Sequence, residues 1–149
     1  MDTNINAEEK RQHLEFIQNI ITRMNTNSFQ LKGIAITIVS ALLAIFASTK
    51  NEIFVFLGIL PTFLFWLLDT YYLQQERKFR GVYNDVAGLK KVFDVKLYEM
   101  PIHKYTKTID KQFSYCNVFF SKTIIWLYFS VILFLAVTGL LLKYSCLTF

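Results

Sequence analysis

The sequence predicts an all-α membrane protein with three transmembrane helices, an N-terminal amphipathic helix and a cytoplasmic helical extension of the second span. Three observations carry that expectation. First, the chain has 149 residues, 54% of them hydrophobic and 18% charged, with a mean hydropathy of +0.35. Soluble domains are about 25% charged, and a chain this short has too much surface for its volume to bury such an apolar excess. Second, the excess is gathered into three uncharged runs, 33–49, 53–68 and 123–142. Third, the basic residues fall on one side of the spans those runs imply.

Each run is judged by length. A helix rises about 1.5 Å per residue, and a bilayer core of about 30 Å takes about 20 residues. The run 123–142 fits directly, between Lys122 and Lys143. The runs 33–49 and 53–68 are shorter, and lengthen by burying the stems of flanking lysines. Tyr71, Tyr72 and Leu73 extend the second run past Asp69 to residue 73. The expected organisation is a cytoplasmic N-terminal segment (1–32), a transmembrane hairpin (33–73, spans 33–49 and 53–73) turning tightly across Thr49–Glu52, a cytoplasmic helical segment (74–122), a third span (123–142) and an external tail (143–149).

Charge sets the orientation. The chain has 16 Lys and Arg against 11 Asp and Glu, a net charge of +5. Segments 1–32 and 74–122 hold all the basic residues except Lys50 and Lys143. Positive charge collects on the cytoplasmic side of membrane proteins. The expected topology is therefore N-terminus cytoplasmic and C-terminus external, in a bacterial inner membrane. The same placement explains the basic balance without nucleic acid as a partner. Trp66, Tyr71, Tyr72, Trp126 and Tyr144 stand near the expected span ends, as an interfacial aromatic belt would.

The polar segments have helical signals. Asn6–Glu9 has the form of a capping box. Leu14, Ile17, Ile21 and Met24, widened by Phe16 and Ile20, then form an apolar stripe. Asn25–Ser28 reads as a polar break before the first span. Residues 74–93 hold no proline and are expected to continue the second helix. Phe79, Val82, Tyr83, Val86, Leu89 and Phe93 form its stripe, a surface on which a partner could dock, and Glu76 and Arg80 make a favourable i, i+4 pair. Residues 94–112, with Met100–Pro101, suggest an extended piece and a turn.

Residues with chemical potential are few. His13 and His103 are isolated, and no HExxH, GxSxG, Walker or GxGxxG motif occurs. Cys116 and Cys146 fall on opposite sides of the expected bilayer and carry no zinc-type spacing. We expect no enzyme, no cofactor and no metal. The most informative pattern is Gly33, Thr37, Ser40, Ala44 and Ser48, small or hydroxyl residues along one face of the first span. Such faces let membrane helices approach closely. This one serves as the packing seam between the first two spans, a seam between subunits, or a pore lining. Pro61 should kink the second span by removing a backbone hydrogen bond. Asp69 is the one acid embedded in a span, a costly position suited to bonding a hydroxyl or a basic side chain of another helix. Arg77, Lys78 and Arg80 follow it, placed to bind lipid headgroups or enforce orientation.

A resemblance adds to this reading. The runs His13–Asn19, Arg23–Asn25, Asn27–Phe29, Phe65–Leu73, Gln75–Arg77 and Phe120–Thr123 resemble those of a family of small bacterial inner-membrane proteins of uncharacterised activity. The resemblance covers most of the chain and implies a bacterial inner-membrane location, but no site residue. By architecture alone, the layout is similar to membrane effectors of anti-phage defence that oligomerise and breach the bilayer. The expected function is a homo-oligomeric effector that perturbs the bilayer or forms a pore. The alternative is a membrane anchor that recruits a soluble partner protein through its cytoplasmic helices.

Overall fold

The structure, a computed structural model, describes residues 2–147, with side chains described for residues 6–144. The described residues form helices and loops without a strand. The helices are α1 (Asp2–Thr49), α2 (Ile53–Leu57), α3 (Ile59–Ala87), α4 (Tyr115–Phe119) and α5 (Lys122–Leu147), with 3-10 turns at Ile102–Lys104 and Lys111–Phe113. Three helical stretches are long and apolar enough to cross a membrane: one in α1, one formed by α2 with α3, and one in α5. By its internal contacts the chain divides into two units. One comprises residues 1–28 and 71–118, and the other 29–70 and 119–149. We call them the polar and the apolar unit.

Two local expectations fail in α1. No cap forms at Asn6, because the helix already runs from Asp2, and Asn25–Ser28 does not break it. Asn, Thr and Ser each cost only about 0.5–0.7 kcal/mol in a helix interior. Apolar burial of Ile17 and Ile21 before them and of Ala35 and Val39 after them outweighs that preference. The helix ends where Lys50 turns left-handed (φ 54°) and its N–H bonds the Phe46 carbonyl at 2.8 Å. This is an αL cap made without glycine. Asn51 Oδ1 then accepts the Ile53 N–H at 3.1 Å and opens α2.

The helix containing Pro61 is interrupted one turn earlier, at Gly58 between α2 and α3. Proline has no N–H for the carbonyl four residues back, and its ring crowds that carbonyl, here Leu57. Thr62 repairs the neighbouring turn, its Oγ1 donating to the Gly58 carbonyl at 2.7 Å. Val39, Val55 and Leu135 form the buried centre of the apolar unit, with Leu43, Phe46, Ile59, Val131 and Leu142 packed around them. A Cβ on Gly139 would lie 2.6 Å from the Phe56 ring, so glycine is what permits α5 to approach α2 there.

The polar unit has its own core of Ile17, Ile21, Val82, Tyr105 and Phe113. Its part of α3 ends at Ala87, six residues short of the expected Phe93. Gly88 (φ 80°) ends the helix in a Schellman motif, with Leu89 N–H bonded to the Asn84 carbonyl (2.9 Å) and Gly88 N–H to the Asp85 carbonyl (3.2 Å). From there the chain runs without regular structure to the two 3-10 turns, so 74–122 is helical only at its start and in short pieces. Asp85 organises this segment. Its carboxylate accepts the Val92 N–H (2.7 Å), the Phe93 N–H (3.1 Å) and the Tyr105 hydroxyl (2.6 Å). Burial and the Asp85 charge push the Tyr105 phenol above its usual range. Gly81 lets Tyr105 in, since a Cβ there would sit 2.6 Å from its ring. The segment expected as an external tail is helical through Leu147, whereas residues 148–149 and the Cys146 side chain lie outside the described set.

Candidate functional site

The apolar unit brings one residue from each of its three long helices to a single polar point. Asp69 of α3 is fully buried, with a relative exposure of 0%. Lys32 of α1 places Nζ 2.7 Å from Asp69 Oδ2. Tyr128 of α5, 1% exposed, brings its hydroxyl near the same carboxylate without a hydrogen bond to it. An isolated carboxylate would be expelled from such surroundings, because transferring a charge out of water costs several kcal/mol even after relaxation. Pairing with the ammonium group is what lets Asp69 remain. Asp69 was expected to bond a hydroxyl or a basic side chain of another helix, and Lys32 is that basic side chain.

Aromatic stacking encloses this point. Trp66, one turn before Asp69, stacks on Phe119 (centroids 4.4 Å apart, planes 4° apart) and lies parallel to Tyr128 at 6.2 Å. Its indole N–H donates to the Phe119 carbonyl at 3.3 Å. Trp66 is therefore an internal packing residue, 8% exposed, rather than a member of an interfacial belt. Trp126, Tyr144 and Tyr71 are the belt candidates that face outward, at 76%, 68% and 51% exposure. Thr70, also fully buried, turns its hydroxyl back to the Trp66 carbonyl at 2.8 Å.

The small-residue face of α1 lies elsewhere. Gly33, Thr37, Ser40, Ala44 and Ser48 are all exposed, whereas Ala35 and Val39 face inward. Of the three roles expected for that face, the packing seam within one chain does not hold. The larger side chains of Val39, Leu43 and Phe46 fill the apolar core better, and they take the inward side. Thr37 satisfies its own hydroxyl on the Gly33 carbonyl at 2.9 Å. A Cβ on Gly33 would meet nothing within 4 Å.

The other expected site residues belong to the polar unit. Val82 is fully buried, and Phe79, Tyr83, Val86 and Phe93 pack against the same core. Leu89 alone of that stripe is widely exposed, because it lies past the helix end. Arg80 is held by Glu76 at 2.7 Å, Arg77 donates to the Gln112 carbonyl at 3.4 Å, and Lys78 is half-buried. Cys116 is a free, exposed thiol.

His13, isolated in the sequence, is a buried contact in the structure. It is 1% exposed and accepts the Tyr98 N–H on Nδ1 at 3.3 Å. Its spacing of four residues from Ile17 and eight from Ile21 was the available signal, since all three share the buried face of α1.

Comparison with protein-family models, with curated proteins and with solved structures finds no match.

Proposed function

We propose that the chain is a multi-pass protein of the bacterial inner membrane that assembles with copies of itself and perturbs the bilayer. Its N-terminus and polar unit lie in the cytoplasm and its C-terminus outside. Residues 29–49, α2 with the first part of α3, and α5 are its three spans. What supports insertion is the direction of the apolar side chains. Only 11%, 33% and 22% of the apolar windows of the three helices are buried within the chain. Ile34, Ile45, Leu60, Leu64, Phe129, Leu133 and Phe134 point outward from the apolar unit. Such surface is far beyond what a soluble monomer tolerates and is what hydrocarbon accepts.

The observation that carries self-assembly is the outward placement of Gly33, Thr37, Ser40, Ala44 and Ser48. In lipid, a face of small residues gains close backbone packing from another helix that a face of large residues cannot match. The rival reading, an anchor that recruits a soluble partner through Phe79–Phe93, loses its surface, because that stripe is spent on the polar unit's core. The purified protein reconstituted in liposomes tests the proposal. It predicts release of a trapped dye that rises more steeply than linearly with protein density. Confirmed insertion with retained dye contradicts it.

A further inference from the structure

We propose that His13 and Tyr98 form an acid-sensitive latch that holds residues 94–100 against α1 within the polar unit. Tyr98 adopts φ 61°, a left-handed conformation that a bulky residue rarely occupies. Something must hold it there. The turn Lys96–Glu99, closed by the Glu99 N–H on the Lys96 carbonyl at 3.0 Å, and two bonds to α1 do: its N–H donates to His13 Nδ1 at 3.3 Å, and its hydroxyl donates to Gln12 Oε1 at 2.7 Å. The two rings also meet, with centroids 5.7 Å apart.

The first bond depends on protonation state. A neutral imidazole can accept on Nδ1 only while Nε2 carries the proton, and a protonated imidazole is a donor at both nitrogens. Adding a proton to His13 therefore converts the acceptor for Tyr98 into an opposed donor. The turn then loses one of its two bonds to α1, and the buried ring becomes a buried cation.

The surroundings offer that cation little support. On α1, Glu9 and Lys10 lie at i−4 and i−3, opposite in sign. Asp85 of α3 and Lys91 and Asp94 of the following loop line the same cavity as His13. Asp85 already accepts three hydrogen bonds, and Asp94 lies 3.3 Å from Lys91. Glu99 engages the Lys96 N–H and Lys104 through its side chain, and only its main chain reaches toward the imidazole. Glu9 is half-buried and Asp94 exposed, and neither makes an ion pair with His13. Burial accordingly depresses its basicity, with the Glu99 main chain opposing in part.

Hydrogen exchange on the full-length protein in nanodiscs tests the latch. After correction for intrinsic chemistry, the Tyr98 and Glu99 amides should exchange up to about tenfold faster per pH unit below the ordinary histidine value of about 6.5. His13→Asn retains an acceptor near the Nδ1 position and does not titrate, so its exchange should be flat with pH. His103→Asn should behave as wild type. Should His13→Asn fail to fold, the wild-type imidazole carbon-bound proton signal of His13 serves instead, and its titration midpoint should fall below about 6.5, where the acceleration of amide exchange levels off. Uniform protection of the Tyr98 and Glu99 amides from pH 7.5 to 5, or the same acceleration in His13→Asn, overturns the proposal.

Discussion

Lys32 Nζ lies 2.7 Å from Asp69 Oδ2, and the carboxylate it meets is wholly shielded from solvent. The pair joins α1 to α3 at a point where Tyr128 of α5 also converges. Its energetic meaning lies less in the attraction itself than in the cost of separating the partners. Removing one leaves the other as an uncompensated charge, which costs about 3–5 kcal/mol, whereas replacing both by apolar groups can be neutral.

A double-mutant cycle measures this directly. Lys32→Met and Asp69→Leu should each destabilise the apolar unit by about 3–5 kcal/mol. The combined variant should recover most of that loss. Thermal unfolding in detergent, followed by helical circular dichroism, reads the coupling, and additive losses would show that the two side chains act independently.

Glycine positions separate internal packing from the outward face. Gly139→Ala forces a Cβ to within 2.6 Å of the Phe56 ring, and overpacking of this kind costs about 1–3 kcal/mol. Gly33→Ala meets no neighbour and gains up to about 1 kcal/mol of helix propensity. Chain stability should therefore fall in the first variant and hold or rise in the second. Gly33→Leu, by contrast, should weaken self-association without unfolding the chain, as read by single-molecule photobleaching in nanodiscs.

Asp85 carries the loop architecture of the polar unit. Asp85→Ala removes the acceptor of two backbone N–H groups and one phenol, for a loss of about 3 kcal/mol or more. Tyr105→Phe removes only one of those bonds and should cost about 1–2 kcal/mol. Limited proteolysis after Lys90, Lys91 and Lys96 should accelerate in the same order.

The depressed basicity of His13 makes stability depend on pH. Its folded value lies below the unfolded value of 6.5, so the unfolded chain binds more protons just beneath that pH. Stability must then fall as pH drops through that window, and its full contribution is present above it. A Tm measured at pH 7.5 and 5.5 should decline in the wild type more than in His13→Asn.

Much of this was legible in the sequence. The three apolar runs mark the helices that compose the apolar unit, because hydropathy over some twenty residues is a signal that tertiary packing rarely reverses. Asp69 stood out for the same reason, being an acid in an apolar run. Its partner was not legible, since Lys32 lies 37 positions away and only folding brings the two together. Local cues at Asn6 and Asn25–Ser28 misled because a cap or break signal is worth about 1 kcal/mol, less than a buried helix face supplies. The role of Gly33–Ser48 could not be read from spacing alone. Periodicity groups residues on a face but does not say which way the face turns.

The chain is proposed to lie in a membrane and to meet its own copies through the outward face of α1. Cysteine cross-linking in intact cells tests this most directly, in a Cys116→Ser, Cys146→Ser background. Thr37→Cys, Ser40→Cys and Ala44→Cys should each yield a disulfide-linked dimer in the membrane fraction, whereas the inward-facing Val39→Cys should not. Recovery of the chain in the soluble fraction, or cross-linking no stronger at Ser40 than at Ile34 or Val39, would contradict the account.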